Sequence, residues 1–499
     1  MHAVIGLDIG TTSTIGVTIT AAGETLAHAA RPTTLSAPRP GWAEEDPAQW
    51  WDNVCAVTRE MLAASGLAPG AVRAVAVTGM LPAVVLLDAE GRVLRPAIQQ
   101  SDGRCGREVA ALRAELDEAA FCARVGNGIN QQLVAAKLRW VARCEPEVFA
   151  RVATVFGSYD YVNHRLTGER RAERNWALEA GFLDAEAGTP ADDLIALGGL
   201  ERDTIPPLVR SDEAHGRVTA AAAAATGLAA GTLVMGGAAD HVASAYAAGV
   251  LEPGDVLLKF GGAADILTAA ARYAPDPRMF LDHHLVPGLW MPNGCMATGG
   301  VALNWFADAF GAGAPRREGE TIHAALDRLA AEVSPGADGV MIVPYFLGEK
   351  TPLHDVNARG VVSGLSLSHG LGHLWRALLE GYGYAFRHHV EVLREMGCPA
   401  RRFIASDGGA RSRVWMQAVA NILQAEIALL EGHPGSCLGA AWTAAIGAGL
   451  SDDWGGVARF VRHGETVRPD AAAATVHEAG YRRFRETYER LRGMDGAAA

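Results

Sequence analysis

Two hairpins with glycine-rich turns, one at the start of the chain and one near its middle, limit the folds open to this sequence. The first runs from Val4 to Thr20 and turns at Ile9–Ser13. The second runs from Val256 to Ala269 and turns at Phe260–Ala264. A pattern that returns once in each half of the chain indicates a duplicated domain, with a cleft between the two copies.

Apolar runs of strand length alternate with helical patterns after each hairpin, which predicts an α/β fold. The predicted strands include Val72–Thr78, Val84–Leu87, Val152–Phe156, Leu233–Met235, Leu285–Met291, Met341–Pro344, Phe403–Ser406 and Ile427–Leu429. The predicted helices include Arg107–Ala123, Gln131–Cys144, His241–Ala248, Ala302–Phe310, His373–Glu395, Ser412–Leu423 and Cys437–Gly447. The run Glu252–Asp255 is the predicted boundary between an N-terminal domain, 1–250, and a C-terminal domain, 251–499.

Charge and composition exclude several classes of function. Lys and Arg number 44 and Asp and Glu 56, so the formal net charge is −12. This charge gives no general attraction to nucleic acid or to an anionic membrane. One long uncharged stretch, Val218–Ala239, is mostly Ala, Gly and Thr and is too weakly apolar for a membrane span. No secretion signal is expected at Met1-His2-Ala3, and seven scattered Cys residues fit a reducing cytoplasm.

The turn of the first hairpin has the residues of a phosphate site. Asp8 ends a strand, and Gly10 is followed by the hydroxyl residues Thr11, Thr12 and Ser13. Backbone N–H groups and hydroxyls in such a turn can cradle phosphate oxygens, and Asp8 can hold Mg²⁺ through water. An ordinary hairpin turn explains the same residues equally well.

Two further glycine clusters come later in the chain. Gly261, Gly262 and Ala263 occupy the equivalent turn of the second hairpin, and a nucleotide held between two domains needs a phosphate clamp from each. The segment from Gly408 to Arg411 lies between a strand and a helix, where close backbone approach can hold adenosine. Taken alone, a strand-to-helix turn with Ser412 as the helix N-cap is the somewhat favoured interpretation.

Asp240 stands between an apolar run and the predicted helix His241–Ala248. It can be a helix N-cap or a general base at the domain junction, and the pattern alone makes the cap at least as good an explanation.

Other nucleotide-binding motifs are missing from the sequence. The chain has no G-x-x-x-x-G-K-[ST], and no G-x-G-x-x-G follows the first strand, which argues against a P-loop protein and a Rossmann dehydrogenase.

Taken together, these segments resemble the FGGY carbohydrate kinases, and most closely their xylulokinase branch. The similarity runs from about Val4 to Gly449. The segments that carry it follow in the family's order: Gly6–Ser13, Gly41–Pro47, Ser101–Arg104, Lys137–Trp140, Gly236–Asp240, Pro344–Pro352, Gly360–Glu380 and Gly408–Ser412.

The resemblance implies two actin-like (ribonuclease H-like) ATPase domains that close on ATP, Mg²⁺ and a small sugar or polyol. It implies that Asp240 is the catalytic base and that Asp102 faces the sugar. The N-terminal domain would bind the sugar and carry the first phosphate loop, Thr11–Ser13. The C-terminal domain would carry the second phosphate loop, Gly261–Ala263, and the adenosine contacts of Gly408, Gly409, Ala410 and Arg411. Family members are often dimers, so the resemblance also allows a homodimer.

Two departures from the branch pattern bear on substrate and nucleotide. Met80, Leu81 and Pro82 lie where the branch has Gln-Met-His, so a polar wall at the sugar has become apolar. Losing such hydrogen-bonding groups can change substrate preference by orders of magnitude. The second phosphate loop has Ala263 and Ala264 in place of hydroxyl residues, which leaves backbone amides to bind phosphate.

Three functions follow from these observations. The first is phosphorylation of D-xylulose or a related ketopentose. The second is phosphorylation of another polyol, sugar or sugar acid, favoured by Met80 and Pro82. The third is an ATP-switched assembly protein of actin-like fold, which needs an interaction surface or a peptide-binding domain that the sequence does not display.

Overall fold

The computed structural model describes residues 2–494, which form two compact units. The first unit contains residues 2–251, 271–291 and 434–461. The second contains residues 252–270, 292–433 and 462–494. The chain therefore leaves the first unit after Leu251 and returns to it twice.

The first unit is built on a mixed sheet of one meander and two parallel strands. Its strands lie in the order Thr25–Pro32, Ser13–Thr20, Ala3–Ile9, Val72–Gly79, Leu233–Met235 and Ala214–Arg217. The first three are antiparallel neighbours, the next two run parallel to Ala3–Ile9, and the last is antiparallel again. A short strand, Ala238–Ala239, also pairs in parallel with Val72–Gly79.

The sheet of the second unit repeats this order and these directions. Its strands are Trp290–Met296, which belongs to the unit from Pro292 onward, Ala264–Thr268, Asp255–Phe260, Arg402–Ser406, Ile427–Leu430 and His463–Val467. The first three pair antiparallel, the next two are parallel, and the last is antiparallel. The hairpin that opens each half of the sequence thus occupies the same place in each sheet, as expected of a duplicated α/β domain.

Helices pack against these sheets, and further short strands complete the fold. The helices of the first unit are Pro47–Ser65, Gly106–Glu115, Glu118–Val125, Val134–Cys144, Pro146–Phe149, Ser158–Thr167, Arg174–Glu179, Asp192–Ala196, Ala220–Thr226, Asp240–Ala247 and Ser436–Gly447. Those of the second unit are Gly300–Phe310, Ile322–Ala331, Leu371–Glu395, Arg413–Leu423 and Ala474–Leu491. The remaining strands are Glu44–Glu45, Val85–Leu87, Ala97–Ile98, Thr154–Phe156, Ala172–Glu173, Leu183–Asp184, Thr189–Pro190, Leu208–Val209, Phe280–His283, Met341–Val343 and Val361–Ser363.

Two predicted elements were wrong. The helix predicted at Arg107–Ala123 is broken into two, because the Asp117 side chain accepts from the backbone N–H groups of Ala119 and Ala120 and so starts a new helix. Of the strand predicted at Leu285–Met291, only Trp290 and Met291 lie in a strand. The chain turns there at Gly288, which has a φ of 81°, and strands form on either side of the turn instead.

Glycines allow the backbones of the first unit to approach closely. A Cβ on Gly6, in the strand Ala3–Ile9, would lie 1.8 Å from the carbonyl oxygen of Cys437. A Cβ on Gly439 would lie 2.2 Å from the carbonyl oxygen of Ala243. The helix Ser436–Gly447 therefore rests on the sheet and on the neighbouring helix with almost no side chain between them.

Among residues 2–494, no helix combines the length and the apolar character that a membrane crossing requires.

The close approach at Gly6 predicts that Gly6→Ala destabilises the first unit. The added methyl group overlaps a backbone carbonyl, so the helix or the strand must shift, at a cost of about 1–3 kcal/mol, typical of overpacking. A lower melting temperature by calorimetry checks this. Gly70→Ala is the matched control, because a Cβ there meets open space. Equal melting temperatures for the two variants would contradict the packing described above.

Candidate functional site

The register of three parallel strands brings the predicted residues of the first unit to one edge of its sheet. Ile9 pairs with Gly79, and Gly79 pairs with Ala239. The residues that follow, Gly10, Met80 and Asp240, therefore leave the sheet side by side. Neighbouring strands are about 4.8 Å apart, and ligands of open α/β sheets bind at the carboxyl ends of parallel strands.

The first glycine turn leaves backbone donors available. Gly10 N–H donates to Ser13 O at 3.0 Å, and Thr12 O accepts from Thr33 N–H at 2.9 Å. The N–H groups of Thr11 and Thr12 have no hydrogen-bond partner within residues 2–494. Donors without partners, next to hydroxyl side chains, suit an anion.

Asp8, near the end of the strand before this turn, is hydrogen-bonded to a residue that the sequence analysis did not single out. Its Oδ2 accepts from Ser436 Oγ at 2.6 Å, although the two residues are 428 positions apart. Ser436 is the first residue of the helix Ser436–Gly447. The half-buried carboxylate of Asp8 and the Ser436 hydroxyl form an oxygen-only donor set, which suits Mg²⁺.

Asp240 begins a helix without capping it. Ala239 is the N-cap and makes no side-chain cap, and Asp240 is the first helical residue. Asp240 Oδ1 accepts from the backbone N–H of His241 at 2.6 Å, while 36% of its side chain is exposed. Its Oδ2 has no hydrogen-bond partner among the described residues. The N-cap alternative is therefore not the arrangement observed, and one carboxylate oxygen faces no protein donor.

Behind Asp240 lies a cluster of titratable groups that the sequence did not indicate. His241 Nδ1 is 3.3 Å from Asp240 Oδ1, and His241 Nε2 is 2.8 Å from Asp282 Oδ2. Glu179 Oε1 lies 3.7 Å from the same Nε2. Asp282 is fully buried and Glu179 nearly so.

Two asparagines hold the strand that carries Asp282. Asn127 donates to Leu281 O at 3.0 Å and accepts from Leu281 N–H at 3.0 Å. Asn175 does the same for His283, at 2.9 and 2.7 Å. Each side-chain amide makes the pair of hydrogen bonds that a neighbouring strand would make. The backbone on both sides of Asp282 is therefore held in place. No local sequence signal announces this, because the asparagines are more than a hundred residues from their partners.

The predicted apolar wall of the sugar site is buried and rigidly held. Met80 is 2% exposed and Leu81 5%. Ser158 Oγ donates to Met80 O at 2.9 Å, and Lys137 Nζ donates to Pro82 O at 3.4 Å and to Gln99 O at 2.7 Å. Burial lowers the pKa of Lys137 to about 8. Lys137 thus braces the backbone of this wall from behind.

Asp102 is fully buried, and its carboxylate is already engaged. It accepts from Ala43 N–H at 2.6 Å and from the Arg104 guanidinium at 2.8 and 2.7 Å. Burial raises the pKa of Asp102, but the hydrogen bonds from Arg104 and Ala43 outweigh it and the net shift is downward. The guanidinium also lies 3.8 Å from the centre of the Trp42 ring. Any contact of Asp102 with a ligand would have to share these partners.

Most of the predicted nucleotide residues of the second unit line one cavity of about 570 Å³. Gly261 and Gly262, from the hairpin turn, line it together with Gly408, Gly409 and Arg411. Ala410 is buried, and Ser412 caps the next helix by accepting from Trp415 N–H at 3.1 Å. The structure therefore joins two glycine clusters that are far apart in sequence. It also adds lining residues that the sequence did not indicate: Asn304, His323, Ala324, Asp327 and Trp375.

The hairpin turn of the second unit is anchored by a helix. Gly261 O and Gly262 O accept from the N–H groups of Gly300 and Val301 at 2.8 and 3.1 Å. The N–H groups of Gly262 and Ala263 have no partner within residues 2–494. This turn has no hydroxyl side chains, so the donors it offers are these two backbone N–H groups.

Comparison with known proteins identifies the family. The models of the FGGY family of carbohydrate kinases match residues 3–247 (N-terminal domain) and 264–448 (C-terminal domain). Xylulose kinase of Escherichia coli K12 is 31% identical over 98% of this chain and 99% of its own. Gluconokinase of Bacillus subtilis is 26% identical over 93% and 91%. The crystal structure of xylulose kinase from Rhodospirillum rubrum, 57% identical, covers 99% of this chain and 100% of its own with a TM-score of 0.94.

These matches confirm the predicted α/β fold with two actin-like ATPase domains and the predicted activity class, a sugar phosphotransferase. The chain belongs to the FGGY family of carbohydrate kinases.

Proposed function

We propose that this kinase transfers the γ-phosphoryl group of ATP to a hydroxyl of D-xylulose or a related ketopentose. The observation that carries this proposal is the 57% identity to a xylulose kinase over nearly the whole of both chains. A second candidate is a sugar acid or another polyol, supported by the match to a gluconokinase and by the apolar residues Met80, Leu81 and Pro82. We further propose a cytoplasmic enzyme, with residues 1–250 serving the sugar and residues 251–499 the adenosine.

Asp240 is proposed as the general base. It stands at the carboxyl edge of the parallel strands, and its Oδ2 is free of protein donors among the described residues. A carboxylate in this position can accept the proton of a sugar hydroxyl as that oxygen attacks phosphorus. The loose transition state of phosphoryl transfer otherwise demands positioning and charge neutralisation.

The two hairpin turns are proposed to hold the phosphates. The N–H groups of Thr11 and Thr12, the hydroxyls of Thr11–Ser13, and the N–H groups of Gly262 and Ala263 lie in turns that leave these backbone donors without partners among residues 2–494. In the second turn, the carbonyl oxygen of Gly261 accepts a hydrogen bond from Gly300 N–H, which holds the turn in its conformation. Mg²⁺ bound with ATP would neutralise phosphate charge, and Asp8 would hold it through water.

We assign the cavity of the second unit to adenosine. It is bounded by the backbone of Gly408 and Gly409 and by the side chains of Arg411 and Trp375. Its volume of about 570 Å³ is in the range of small-molecule sites. Ala410, between Gly409 and Arg411, is buried.

Asp240→Asn is expected to lower kcat by at least about 10²-fold, the size of a lost general base, with ATP binding largely intact. Coupled ADP-release kinetics and calorimetric titration of ATP measure the two quantities. Asp52→Asn, an exposed carboxylate on the helix Pro47–Ser65, is the matched control and should retain full activity. Near-normal turnover of Asp240→Asn would remove Asp240 as the base.

Gly408→Val is expected to raise the KM for ATP about tenfold or more, a loss of about 1.4 kcal/mol in binding. A Cβ at Gly408 has no protein atom within 4 Å and Gly408 lines the cavity, so we expect the valine side chain to take up cavity space without disturbing the fold. The KM for the sugar should not change. Gly313→Val is the control, since a Cβ there also meets open space and Gly313 does not line the cavity. An unchanged KM for ATP would show that adenosine binds elsewhere.

A substrate panel tests the reaction itself. ADP release is measured with ATP, Mg²⁺ and a library of pentuloses, polyols and aldonates. We expect D-xylulose or a related ketopentose to give the largest kcat/KM. A larger value for an aldonate or another polyol would establish the second candidate, and no stimulation by any member would contradict both.

A further inference from the structure

We propose that His241 is a positioning residue that stays cationic between Asp282 and Asp240, fixing Asp240 Oδ1 and leaving Oδ2 to take the substrate proton. This inference rests on the proposed role of Asp240 as the base. It assigns a task to Asp282 and Glu179, two buried carboxyl groups that phosphoryl transfer does not otherwise require.

The geometry makes His241 a bridge. Its Nδ1 lies 3.3 Å from Asp240 Oδ1, and its Nε2 lies 2.8 Å from Asp282 Oδ2. A neutral imidazole carries one N–H and can donate in only one of these directions, whereas an imidazolium donates in both. Both partners are carboxylate oxygens that accept, so the cationic form fits the two distances.

The groups that face His241 favour that form. They come from three elements: Asp240 from its own helix, Asp282 from the strand Phe280–His283 and Glu179 from the helix Arg174–Glu179. Burial opposes the charge on the imidazole, but attraction to Asp282 and the hydrogen bonds to Asp240 and Asp282 outweigh it and hold the pKa of His241 well above its usual value.

Glu179 has a different role in this cluster. Burial, together with the nearby charge of Asp282, raises the pKa of Glu179 well above its usual value, which favours the protonated form of this carboxyl group. A protonated Glu179 donates a hydrogen bond to Asp282. The cluster then holds one cation, His241, between two carboxylates, Asp240 and Asp282, with a neutral Glu179 behind them.

Such a bridge matters because Asp240 is partly exposed. A carboxylate with 36% of its side chain exposed is free to rotate unless one oxygen is held. With Oδ1 held by the backbone N–H and the ring of His241, the orientation of Oδ2 is set before substrate binds. Preorganised geometry of this kind lowers the barrier because it need not be acquired during the reaction.

A metal ion is the competing explanation of the cluster. One donor atom from each of Glu179, His241 and Asp282 lies within 4.8 Å of the others. A bound divalent ion would require a neutral imidazole nitrogen as its ligand. The proposal requires both ring nitrogens of His241 to carry hydrogen, so the two explanations are separated by one measurement.

That measurement is the ¹⁵N NMR spectrum of histidine-labelled enzyme, with the His241 signals assigned by their absence in His241→Asn. We expect both ring nitrogens to show imidazolium shifts from pH 6 to pH 8, and metal analysis to find no stoichiometric ion. Neutral-imidazole shifts at pH 7, or a stoichiometric divalent metal, would overturn the proposal. This readout involves no turnover, so it is independent of whether Asp240 proves to be the base.

The kinetic test uses Asp282→Asn and Glu179→Gln. Without the Asp282 carboxylate the pKa of His241 falls, so its proton is lost as the pH rises through neutrality. We expect kcat of Asp282→Asn to fall about tenfold between pH 6 and pH 8, relative to wild type, with both KM values little changed. Glu179→Gln keeps a hydrogen-bond donor toward Asp282, so its kcat should stay within about threefold of wild type at both pH values.

Asp276→Asn, in the same chain segment as Asp282 but paired with Arg278, is the matched control and should behave as wild type. A loss in Asp282→Asn that is equal at every pH would mark Asp282 as merely structural and contradict the proposal. If Asp282→Asn does not fold, the wild-type NMR spectrum still decides the question. If Asp240→Asn keeps full turnover, the proposed base fails even where the His241 signals are those of an imidazolium.

Discussion

The parallel pairing of Ile9, Gly79 and Ala239 is the constraint on which the candidate catalytic edge depends. Strands in parallel register end together, so the residues that follow them must share one edge of the sheet. The short strand Ala238–Ala239 is what brings Asp240 to that edge, because it adds only two residues of pairing before the helix begins. A slip of one residue would turn every side chain of the strand to the opposite face.

Close backbone packing keeps that edge in place. Gly439 lets the helix Ser436–Gly447 approach the helix Asp240–Ala247, and Gly6 lets it approach the sheet. The helix that begins with Ser436 thereby brings its first hydroxyl to Asp8. The same packing element supports the metal-binding candidate and the helix of the proposed base, so a change in either glycine would affect both.

Much of the fold could be predicted from the sequence, because its signals are local. Alternating apolar residues and glycine turns predicted both hairpins, and the strand Leu233–Met235 was predicted with the bounds it has. The two wrong element predictions arose where two local sequence signals indicated different structures. Asp117 restarts a helix that looked continuous, and a turn at Gly288 replaces a strand that looked plausible from its apolar residues.

The sequence by itself determined the duplicated α/β architecture, the kinase family and the glycine turns proposed to bind phosphate. These features rest on residues that are near one another in the chain. Only the tertiary structure decided that Ser436 meets Asp8, that His241 bridges Asp240 and Asp282, and that asparagines clamp the strand of Asp282. Such contacts join residues far apart in sequence, and their chemistry depends on burial, which no local pattern reports.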